Sequence, residues 1–381
     1  VRCGARRWSS SIPAGRADVR VGVVRETKVD EHRVALTPAA VDVLTTDGHE
    51  VIVESGAGAG SLIADDEYAA VGATIVATAP EVWGGVELLC KVKEPQEHEF
   101  ELLADGTVLF TYLHHPASPA EAEALVDAGD TGNAYEPVEM PDHTTPLLAP
   151  MSEVAGRMAA QVGARLLEKR EGGRGVLMGG VPGTRPANVV VIGAGMAGGN
   201  AATIAHGMGA AVTVFDLDPD ALRRFDRDWH GTMQTRMSNP LELREAVLDA
   251  DVVVGAVLLP GAKAPRLVDR ATVAAMRPGS VLVDISIDQG GCFETSRETS
   301  HSDPTYIVDE VVHYAVGNIP GAVPRTSTYA LGNATLPYLR DLAAHGVDEA
   351  VIRRPELGGG VNTRAGRVVH PVVADALGAP D

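Results

Sequence analysis

Basic and imidazole side chains follow several apolar, strand-like segments of this sequence. Lys93 ends the predicted strand 87–95, His114 ends the predicted strand 107–116, and Arg33 lies between the first predicted strand and a predicted helix. Ligands of parallel sheets bind beyond the carboxyl ends of the strands, so these three side chains could converge on one cleft. Arginine and lysine together suit a small carboxylate, and a histidine is the natural proton carrier near neutral pH.

The same residues also allow simpler interpretations. A lysine at a strand end or an arginine in a loop is commonly solvated, and a histidine before a proline can serve in packing alone. His115 competes with His114 for a proton-transfer role, and the spacing alone does not choose between them. A reaction site at these positions is therefore a hypothesis that requires all the side chains to lie together.

An acidic residue follows another apolar segment, SVLVDISIDQGG (280–291). Strand side chains alternate between faces, so Asp284, Ser286 and Asp288 are expected on one face. A carboxylate inside a buried sheet is costly to desolvate unless it has a partner. We therefore expect Asp288 to lie at the end of the strand and to face a reaction cleft. Asp284 is expected to have a structural or cofactor-side hydrogen-bonding role, and the sequence leaves this role open.

A glycine-rich turn is the strongest local motif of the chain. The stretch VVVIGAGMAGGNAATIAHGMGAAVTVFDLD (189–218) predicts a strand, the turn GAGMAG, a helix of small residues and a second strand. Gly193 allows the tight turn, Gly195 lets the backbone approach a pyrophosphate, and Gly198 permits close packing of helix and strand. The helix N-terminus supplies N–H groups and a favourable dipole for phosphates. The motif predicts a dinucleotide-binding site.

Acidic side chains after the second strand of this motif favour NAD(H) over NADP(H). Asp216 lies eighteen residues beyond Gly198, where a carboxylate accepts hydrogen bonds from the adenosine ribose. Asp216 and Asp218 would repel a 2′-phosphate, and no arginine follows immediately. A second glycine-rich stretch, ESGAGAGSL (54–62), has Ser61 in place of the third glycine and lacks the acid-terminated strand. It is predicted to be a flexible turn.

Strand-like and helix-like segments alternate along the chain, which predicts an α/β fold with parallel sheets. Thr37 and Pro38 predict a helix start. Strands are predicted at 19–26, 50–54, 87–95, 107–116, 211–216, 251–257 and 280–286, and long helices at 150–173 and 327–346.

The order of these segments predicts two Rossmann-like domains with doubly wound parallel sheets, joined by the long helices. The NAD-binding domain (148–325) is expected to be inserted in a discontinuous catalytic and substrate domain (19–147 and 326–381). Residues 1–18 contain four arginines and no hydrophobic periodicity. They are expected to be a disordered extension or a misassigned start rather than a transit peptide.

The composition restricts the class of protein. The 381 residues include 32 Lys and Arg against 51 Asp and Glu, a formal net charge of −19, which argues against nucleic acid and anionic membrane as partners. No segment approaches the roughly 18 uninterrupted apolar residues of a membrane helix. The three cysteines lack metal or redox spacing, which suits a reducing cytoplasm. A cytoplasmic globular protein is expected.

Over about residues 19–346, successive motifs of this chain resemble those of bacterial L-alanine dehydrogenase. They are GVVRETKVDEHRVALTP, LLCKVKEP, LFTYLHH, LLAPMSEVAGRMAAQVGA, GGRGVLMGGVPG, VIGAGMAG, GAVLLPGAKAP, LVDISIDQGGCFE and VPRTSTYALGNATLPY. The resemblance implies reversible oxidative deamination of L-alanine to pyruvate, ammonia and NADH, usually in a homohexamer. The family shares its fold with the NAD-binding subunit of proton-translocating transhydrogenase.

The resemblance also implies roles for individual residues. Arg33 and Lys93 would hold the substrate carboxylate and carbonyl. His114, rather than His115, would transfer protons, and Asp288 would be the second active-site group, near the ammonia or water. The positions that match the NAD site are Ser152, Gly193, Gly195, Met196, Ala197, Gly198, Asp216, Ser238, Val257, Leu258, Ile285, Ile287, Asp288, Arg297, Val316, Asn318 and Ile319.

A magnesium ion is a further expectation from the resemblance. The family has an acid and a histidine one helical turn apart that can contact this ion, and Asp341 and His345 match these positions. Aspartate in place of the usual glutamate shortens the reach of the side chain.

Two other functions are compatible with a dinucleotide-binding chain. A transhydrogenase-like NAD(H) subunit would need a membrane partner and would show no activity with alanine alone. A non-catalytic NAD(H) sensor would bind the cofactor without turnover. The complete set of arginine, lysine, histidine and aspartate argues against the sensor.

Overall fold

The computed structural model describes residues 18–103, 106–113, 119–257 and 264–377. The described residues divide into two compact units. The first holds the residues up to Pro150 and those from Val323 onward, and the second holds Met151–Ala322. His114, His115, Leu258 and nearly all of the predicted N-terminal extension lie outside the described residues.

The first unit is built on a mixed sheet in which the described residues form eight strands. These are β1 (Arg20–Val23), β2 (Glu50–Glu54), β3 (Thr74–Val76), β4 (Leu88–Cys90), β5 (Val108–Thr111), β6 (Thr131–Ala134), β14 (Val361–Arg364) and β15 (Arg367–Val368). Their spatial order is β15-β14-β6-β5-β4-β1-β2-β3. Strands β1 to β6 pair in parallel in the order of a doubly wound sheet, and β14 and β15 extend it antiparallel.

In the second unit the first five strands have the same spatial order as the first five strands of the first unit. Its seven strands among the described residues are β7 (Asn188–Ile192), β8 (Ala211–Asp216), β9 (Gln234–Met237), β10 (Val252–Gly255), β11 (Val281–Asp284), β12 (Thr305–Val308) and β13 (Val311–Tyr314). The order is β12-β13-β11-β10-β7-β8-β9, and β12 alone of these pairs antiparallel. The predicted α/β fold class with two doubly wound sheets is confirmed, and each sheet adds antiparallel strands at one edge.

Helices flank both sheets. In the described residues they are α1 (Pro38–Thr46), α2 (Asp65–Ala69), α3 (Ala79–Trp83), α4 (Pro119–Ala128), α5 (Ala149–Leu166), α6 (Met196–Gly207), α7 (Pro219–Trp229), α8 (Pro240–Asp249), α9 (Arg270–Ala274), α10 (Pro324–Arg353) and α11 (Pro371–Leu377). The central strands of the second sheet are runs of buried valines, as expected for strands covered on both faces. Small residues of α5, including Ala155 and Ala159, join this core.

Several element boundaries follow the local sequence signals. The Thr37 hydroxyl accepts a hydrogen bond from Ala40 N, and Pro38 begins α1 as predicted. Helix α5 ends at Leu166, before the predicted end at 173, and is followed by a 3-10 turn at Lys169–Glu171 that ends at Gly172 with φ 92°. Helix α10 is longer than predicted and bends at Gly346, where φ and ψ are 69° and 171°. No helix within the described ranges is both long and apolar enough to span a membrane.

Candidate active site and dinucleotide site

Charged and phenolic side chains gather at the carboxyl edge of the first sheet. The strand order reverses between β1 and β4, and ligands of such sheets bind beyond the strand ends at this point. Lys91 and Lys93 follow β4, Tyr112 follows β5, Tyr135 follows β6, and Glu26 lies three residues beyond β1. All five side chains are buried. The edge predicted to bind ligand is therefore lined by polar groups inside the fold.

Arg33 is buried and its guanidinium is bound to Glu31. Arg33 Nε donates to Glu31 Oε1 at 2.7 Å and Nη2 donates to Oε2 at 2.5 Å. Burial works to lower the pKa of Arg33, but the hydrogen bonds and the charge of Glu31 outweigh it, so the pKa is raised. Both of these hydrogen bonds go to Glu31, so this side of the guanidinium is already bound within the protein.

The second glycine-rich stretch supports the loop that carries Arg33. It forms a 3-10 turn in which Ser61 is fully buried. The Ser61 hydroxyl donates to the carbonyl of His32 at 3.1 Å, and the Thr328 hydroxyl of α10 accepts from Val34 N at 3.1 Å. The backbone is therefore held on both sides of Arg33, a role that the glycine pattern did not suggest.

Two lysines separated by one residue have different surroundings. Lys93 retains 9% exposure, whereas Lys91 is fully buried, with its Nζ 3.0 Å from Glu99 Oε1 and 3.4 Å from Glu26 Oε2. Burial works to lower the pKa of Lys91, but the attraction of Glu26 and Glu99 outweighs it, so the pKa is raised. Sequence reasoning missed Lys91 because one of its two carboxylate partners, Glu26, is distant along the chain.

Several groups around this edge are held neutral. Burial raises the pKa of the Tyr112 and Tyr135 hydroxyls. Burial, with the nearby Glu94 and Glu136 carboxylates, raises the pKa of Glu121 to about 10. Because Glu121 then carries no charge at neutral pH, it does not oppose an anion at this edge. The arrangement suits the binding of a small carboxylate by fixed cations.

The glycine-rich turn lies where the strand order of the second sheet reverses, between β7 and β10. Gly193 follows β7 with φ 108°, and a Cβ there would lie 2.4 Å from the carbonyl oxygen of Ala256. A Cβ on Gly198 would lie 1.8 Å from the carbonyl oxygen of Gly193, whereas one on Gly195 would meet no atom within 4 Å. The turn itself requires Gly193 and Gly198. Gly195 leaves open space beside the N-terminus of α6, which begins at Met196.

Asp216 connects the end of β8 to this turn. Its Oδ2 accepts a hydrogen bond from Ala194 N at 2.6 Å, and its Oδ1 accepts from Asp218 N at 2.8 Å. Ser238 N donates to the Asp216 carbonyl at 2.8 Å. Since each carboxylate oxygen can accept two hydrogen bonds, Asp216 holds the turn and retains acceptor capacity for a ribose hydroxyl.

The predicted alternation of Asp284, Ser286 and Asp288 on one strand face is wrong. Strand β11 ends at Asp284, and Ile285–Gln289 form a 3-10 turn. The cause is local, because the Asp284 carboxylate accepts a hydrogen bond from Ser286 N at 3.0 Å and so caps the turn. Asp288 lies in this turn and is exposed.

The Asp284 carboxylate is hydrogen-bonded to the loop that follows β11. Its carboxylate also accepts hydrogen bonds from Cys292 N at 3.0 Å and from the Ser296 hydroxyl at 2.5 Å. It is buried, and burial raises its pKa against the effect of these hydrogen bonds. Asp284 therefore fixes the loop between β11 and β12, which answers the question that the sequence left open.

The remaining predicted NAD positions that the structure describes belong to the second unit. The Val257 amide donates to the Ser286 hydroxyl at 3.0 Å beyond β10, and the Arg297 guanidinium lies 4.1 Å from the centre of the Tyr306 ring. The others lie in α5 (Ser152), in α6 (Met196, Ala197), in the 3-10 turn (Ile285, Ile287) and after β13 (Val316, Asn318, Ile319). Most of these positions follow the carboxyl ends of the strands.

The predicted magnesium ligands do not fit a metal site. The Asp341 carboxylate is hydrogen-bonded to the Arg354 guanidinium on the same unit. The described part of the chain contains no group of three or more His, Cys, Asp or Glu side chains that could hold a metal ion. A cation already neutralises the carboxylate, so no step of the chemistry is assigned to a metal.

Comparison with known proteins gives consistent relationships over nearly the whole chain. The family models "Alanine dehydrogenase/PNT, N-terminal domain" and "Alanine dehydrogenase/PNT, C-terminal domain" match residues 22–155 and 159–371. Proteins named alanine dehydrogenase from Mycobacterium tuberculosis and Methanococcus maripaludis are 56% and 53% identical to this chain. The alignments cover 95% and 94% of this chain and 98% and 97% of theirs.

Solved structures show the same relationship. A structure titled L-alanine dehydrogenase aligns with a TM-score of 0.91 and 46% identity, covering 94% of this chain and 99% of that chain. A transhydrogenase structure from Sinorhizobium meliloti aligns with a TM-score of 0.78 and 26% identity, covering 92% and 99%. The two structures share the fold, and the first is the more similar in both measures.

Proposed function

Because the chain belongs to the alanine dehydrogenase/PNT family, we propose that it is an NAD-dependent L-alanine dehydrogenase. It catalyses the reversible oxidative deamination of L-alanine to pyruvate, ammonia and NADH. The observation that carries this proposal is the identity to proteins named alanine dehydrogenase, which exceeds half of the aligned residues over nearly the full length of both chains. The lower identity to a transhydrogenase structure favours the dehydrogenase over that alternative.

Arg33 and Lys93 are proposed to bind the substrate in the first unit. An ionised guanidinium and an ammonium at the edge of the first sheet attract the carboxylate of alanine or pyruvate. Since Glu31 fixes one side of the Arg33 fork, the guanidinium is oriented before the substrate arrives. Lys93 is proposed to polarise the substrate carbonyl as well.

His114 and Asp288 are proposed to carry the proton transfers. His114 would exchange protons with the substrate oxygen or nitrogen, and Asp288 would act on the ammonia or the attacking water. When bound, NAD supplies the acceptor for the hydride that leaves the Cα of alanine. Water then adds to the resulting imine, and the carbinolamine collapses to pyruvate and ammonia. The protein contributes mainly by position and charge.

The dinucleotide is proposed to bind at the glycine-rich turn of the second unit. The open space at Gly195 and the N-terminus of α6 suit a pyrophosphate. Asp216 suits the adenosine ribose of NAD(H) and disfavours a 2′-phosphate. This assigns the second unit to the cofactor and the first to the substrate.

Absorbance of NADH separates this proposal from its alternatives. The purified chain is incubated with L-alanine and NAD at alkaline pH, and omission of either reactant serves as the control. Formation of NADH that requires both reactants supports the dehydrogenase. Binding of NADH without turnover would indicate a sensor, and activity that appears only with a membrane fraction would indicate a transhydrogenase subunit.

A homohexamer in the cytoplasm is the assembly that we propose from the family resemblance. Light scattering of the purified protein tests the subunit number, with six times the chain mass as the expected result. A monomeric mass with full activity would contradict the proposed assembly without affecting the proposed reaction.

A further inference from the structure

The backbone that carries Lys93 is held by side chains from three neighbouring strand ends. Glu26 Oε1 accepts a hydrogen bond from Val92 N at 2.6 Å. The Thr111 hydroxyl donates to the Lys93 carbonyl at 2.9 Å, and the Tyr135 hydroxyl lies 3.1 Å from the Lys91 carbonyl. Three consecutive residues, 91 to 93, therefore each have a side-chain contact to their backbone.

Among these side chains, Glu26 makes both a backbone hydrogen bond and an ion pair. One carboxylate oxygen accepts from the backbone amide that precedes Lys93, and the other lies 3.4 Å from the Lys91 ammonium. Lys91 is also bound to Glu99 at 3.0 Å. The side chains of Glu26, Lys91 and Glu99 are each at most 2% exposed. These charges are not at the surface, and the proposed reaction does not use them.

Such a buried cluster is not expected for stability alone. Removing two carboxylates and an ammonium from water is expensive, and apolar side chains of similar volume are often equally or more stable. The cluster does hold the Glu26 carboxylate in one orientation, because one of its oxygens accepts a backbone hydrogen bond and the other pairs with the Lys91 ammonium. Lys93, the proposed substrate lysine, lies two residues after Lys91.

We propose that Glu26 is a positioning residue for Lys93. Its carboxylate, anchored by Lys91, holds Val92 N and thereby sets where the Lys93 ammonium meets the substrate. This inference rests on the proposed function, because it concerns the substrate lysine of that reaction. A displacement of about 1 Å of a binding group can cost on the order of 10² in rate, so the contact is expected to matter for catalysis.

Two substitutions of Glu26 test the inference. Glu26→Leu removes the acceptor for Val92 N, and we expect the KM for pyruvate to rise at least 10-fold while the KM for NADH changes less than 2-fold. Glu26→Gln keeps an amide oxygen that can accept from Val92 N, and we expect it to recover most of the loss. A purely structural role would lower the melting temperature without this selective change in KM.

Asp130 provides the matched control. It is a fully buried carboxylate of the same sheet that accepts a hydrogen bond from Thr107 N at 3.2 Å, at the opposite, amino-terminal edge of the strands. Asp130→Leu is expected to lower stability with an unchanged KM for pyruvate. If Glu26→Leu and Asp130→Leu have the same kinetic effect, the inference is wrong.

A second variant keeps the inference testable if Glu26→Leu does not fold. Glu26→Asp keeps a carboxylate that can pair with Lys91, but its shorter side chain withdraws the acceptor from Val92 N. An unchanged KM for pyruvate in this variant would overturn the inference.

A crystal structure of Glu26→Gln needs no turnover and therefore separates this inference from the proposed function. Retention of the Val92 N contact by the introduced amide oxygen, with Lys93 in place, supports it. Loss of that contact with Lys93 unmoved would overturn it. A wild-type enzyme that forms no NADH from alanine would contradict the proposed function alone.

Discussion

The Arg33 guanidinium donates two hydrogen bonds to the Glu31 carboxylate inside the first unit, and these bonds orient the guanidinium. A buried arginine is stabilised in its charged form by such a carboxylate, so the cation is fixed in place before any substrate binds. The geometry depends on the planar fork of arginine, which lysine does not have.

Arg33→Lys tests this dependence while keeping the charge. We expect kcat/KM for L-alanine to fall on the order of 10², because an ammonium cannot reproduce both hydrogen bonds to Glu31 and the orientation they give. Steady-state kinetics measure the change. Arg20→Lys, in an exposed pair with Glu87, is the control and should stay within 2-fold of wild type. An equal, small effect of both substitutions would contradict the assignment of Arg33.

Glu121 gives a prediction for stability against pH. Burial, the first cause, and the nearby Glu94 and Glu136 raise its pKa to about 10 in the folded protein, from an ordinary value of 4.5. Between these values the folded state keeps a proton that the unfolded state releases. The free energy of unfolding therefore falls as pH rises through this window.

Glu121→Gln should remove that dependence. We expect the stability of the variant, relative to wild type, to increase between pH 5 and pH 9, by up to about 1.4 kcal/mol per pH unit. Urea unfolding at several pH values measures it, and Glu123→Gln, an exposed position of the same helix, is the control. Parallel curves for wild type and Glu121→Gln would show that the carboxyl is ionised in the folded state.

Among the elements, the glycine-rich turn contains one glycine that the fold requires and another that is proposed to serve cofactor binding. Gly198→Ala should destabilise the second unit, because its Cβ would overlap the Gly193 carbonyl oxygen. Gly195→Ala should leave the melting temperature unchanged and weaken NADH binding at least 10-fold. Gly207→Ala, in the same helix with nothing within 4 Å of the new Cβ, should stabilise by about 0.5–1 kcal/mol. Thermal unfolding and NADH fluorescence titration measure the three variants, and normal NADH affinity in Gly195→Ala would argue against a pyrophosphate there.

Elements whose boundaries depend on local signals were predicted well from the sequence. Strands β2 and β8 have the predicted ends, and Thr37 caps α1. The end of β11 was not predicted, because it depends on a hydrogen bond of Asp284 that competes with the strand. The partners of the site residues were also missed. Glu26 is brought to Lys91 only when the sheet has formed, so no local pattern indicates this buried ion pair.

In the molecule as a whole, the first five strands of each unit have the same spatial order. The strand order of each sheet reverses at one point. Glu26 and Lys93 lie beyond the carboxyl ends of the strands at this point in the first sheet, and the glycine-rich turn lies beyond them in the second. The chain leaves the first unit after Pro150 and returns to it at Val323. Both units have their own buried clusters of apolar side chains. The proposed reaction needs one site for the substrate and one for the cofactor, and each unit has one point at which its strand order reverses.

In the proposed reaction, the Cα hydrogen of L-alanine passes to the nicotinamide ring as a hydride. L-alanine labelled with deuterium at Cα is incubated with NAD and the purified protein, and the NADH is analysed by NMR and mass spectrometry. We expect one deuterium per NADH at nicotinamide C4, with one pyruvate and one ammonia formed for each. Unlabelled NADH, or pyruvate without NADH, would rule out this hydride transfer.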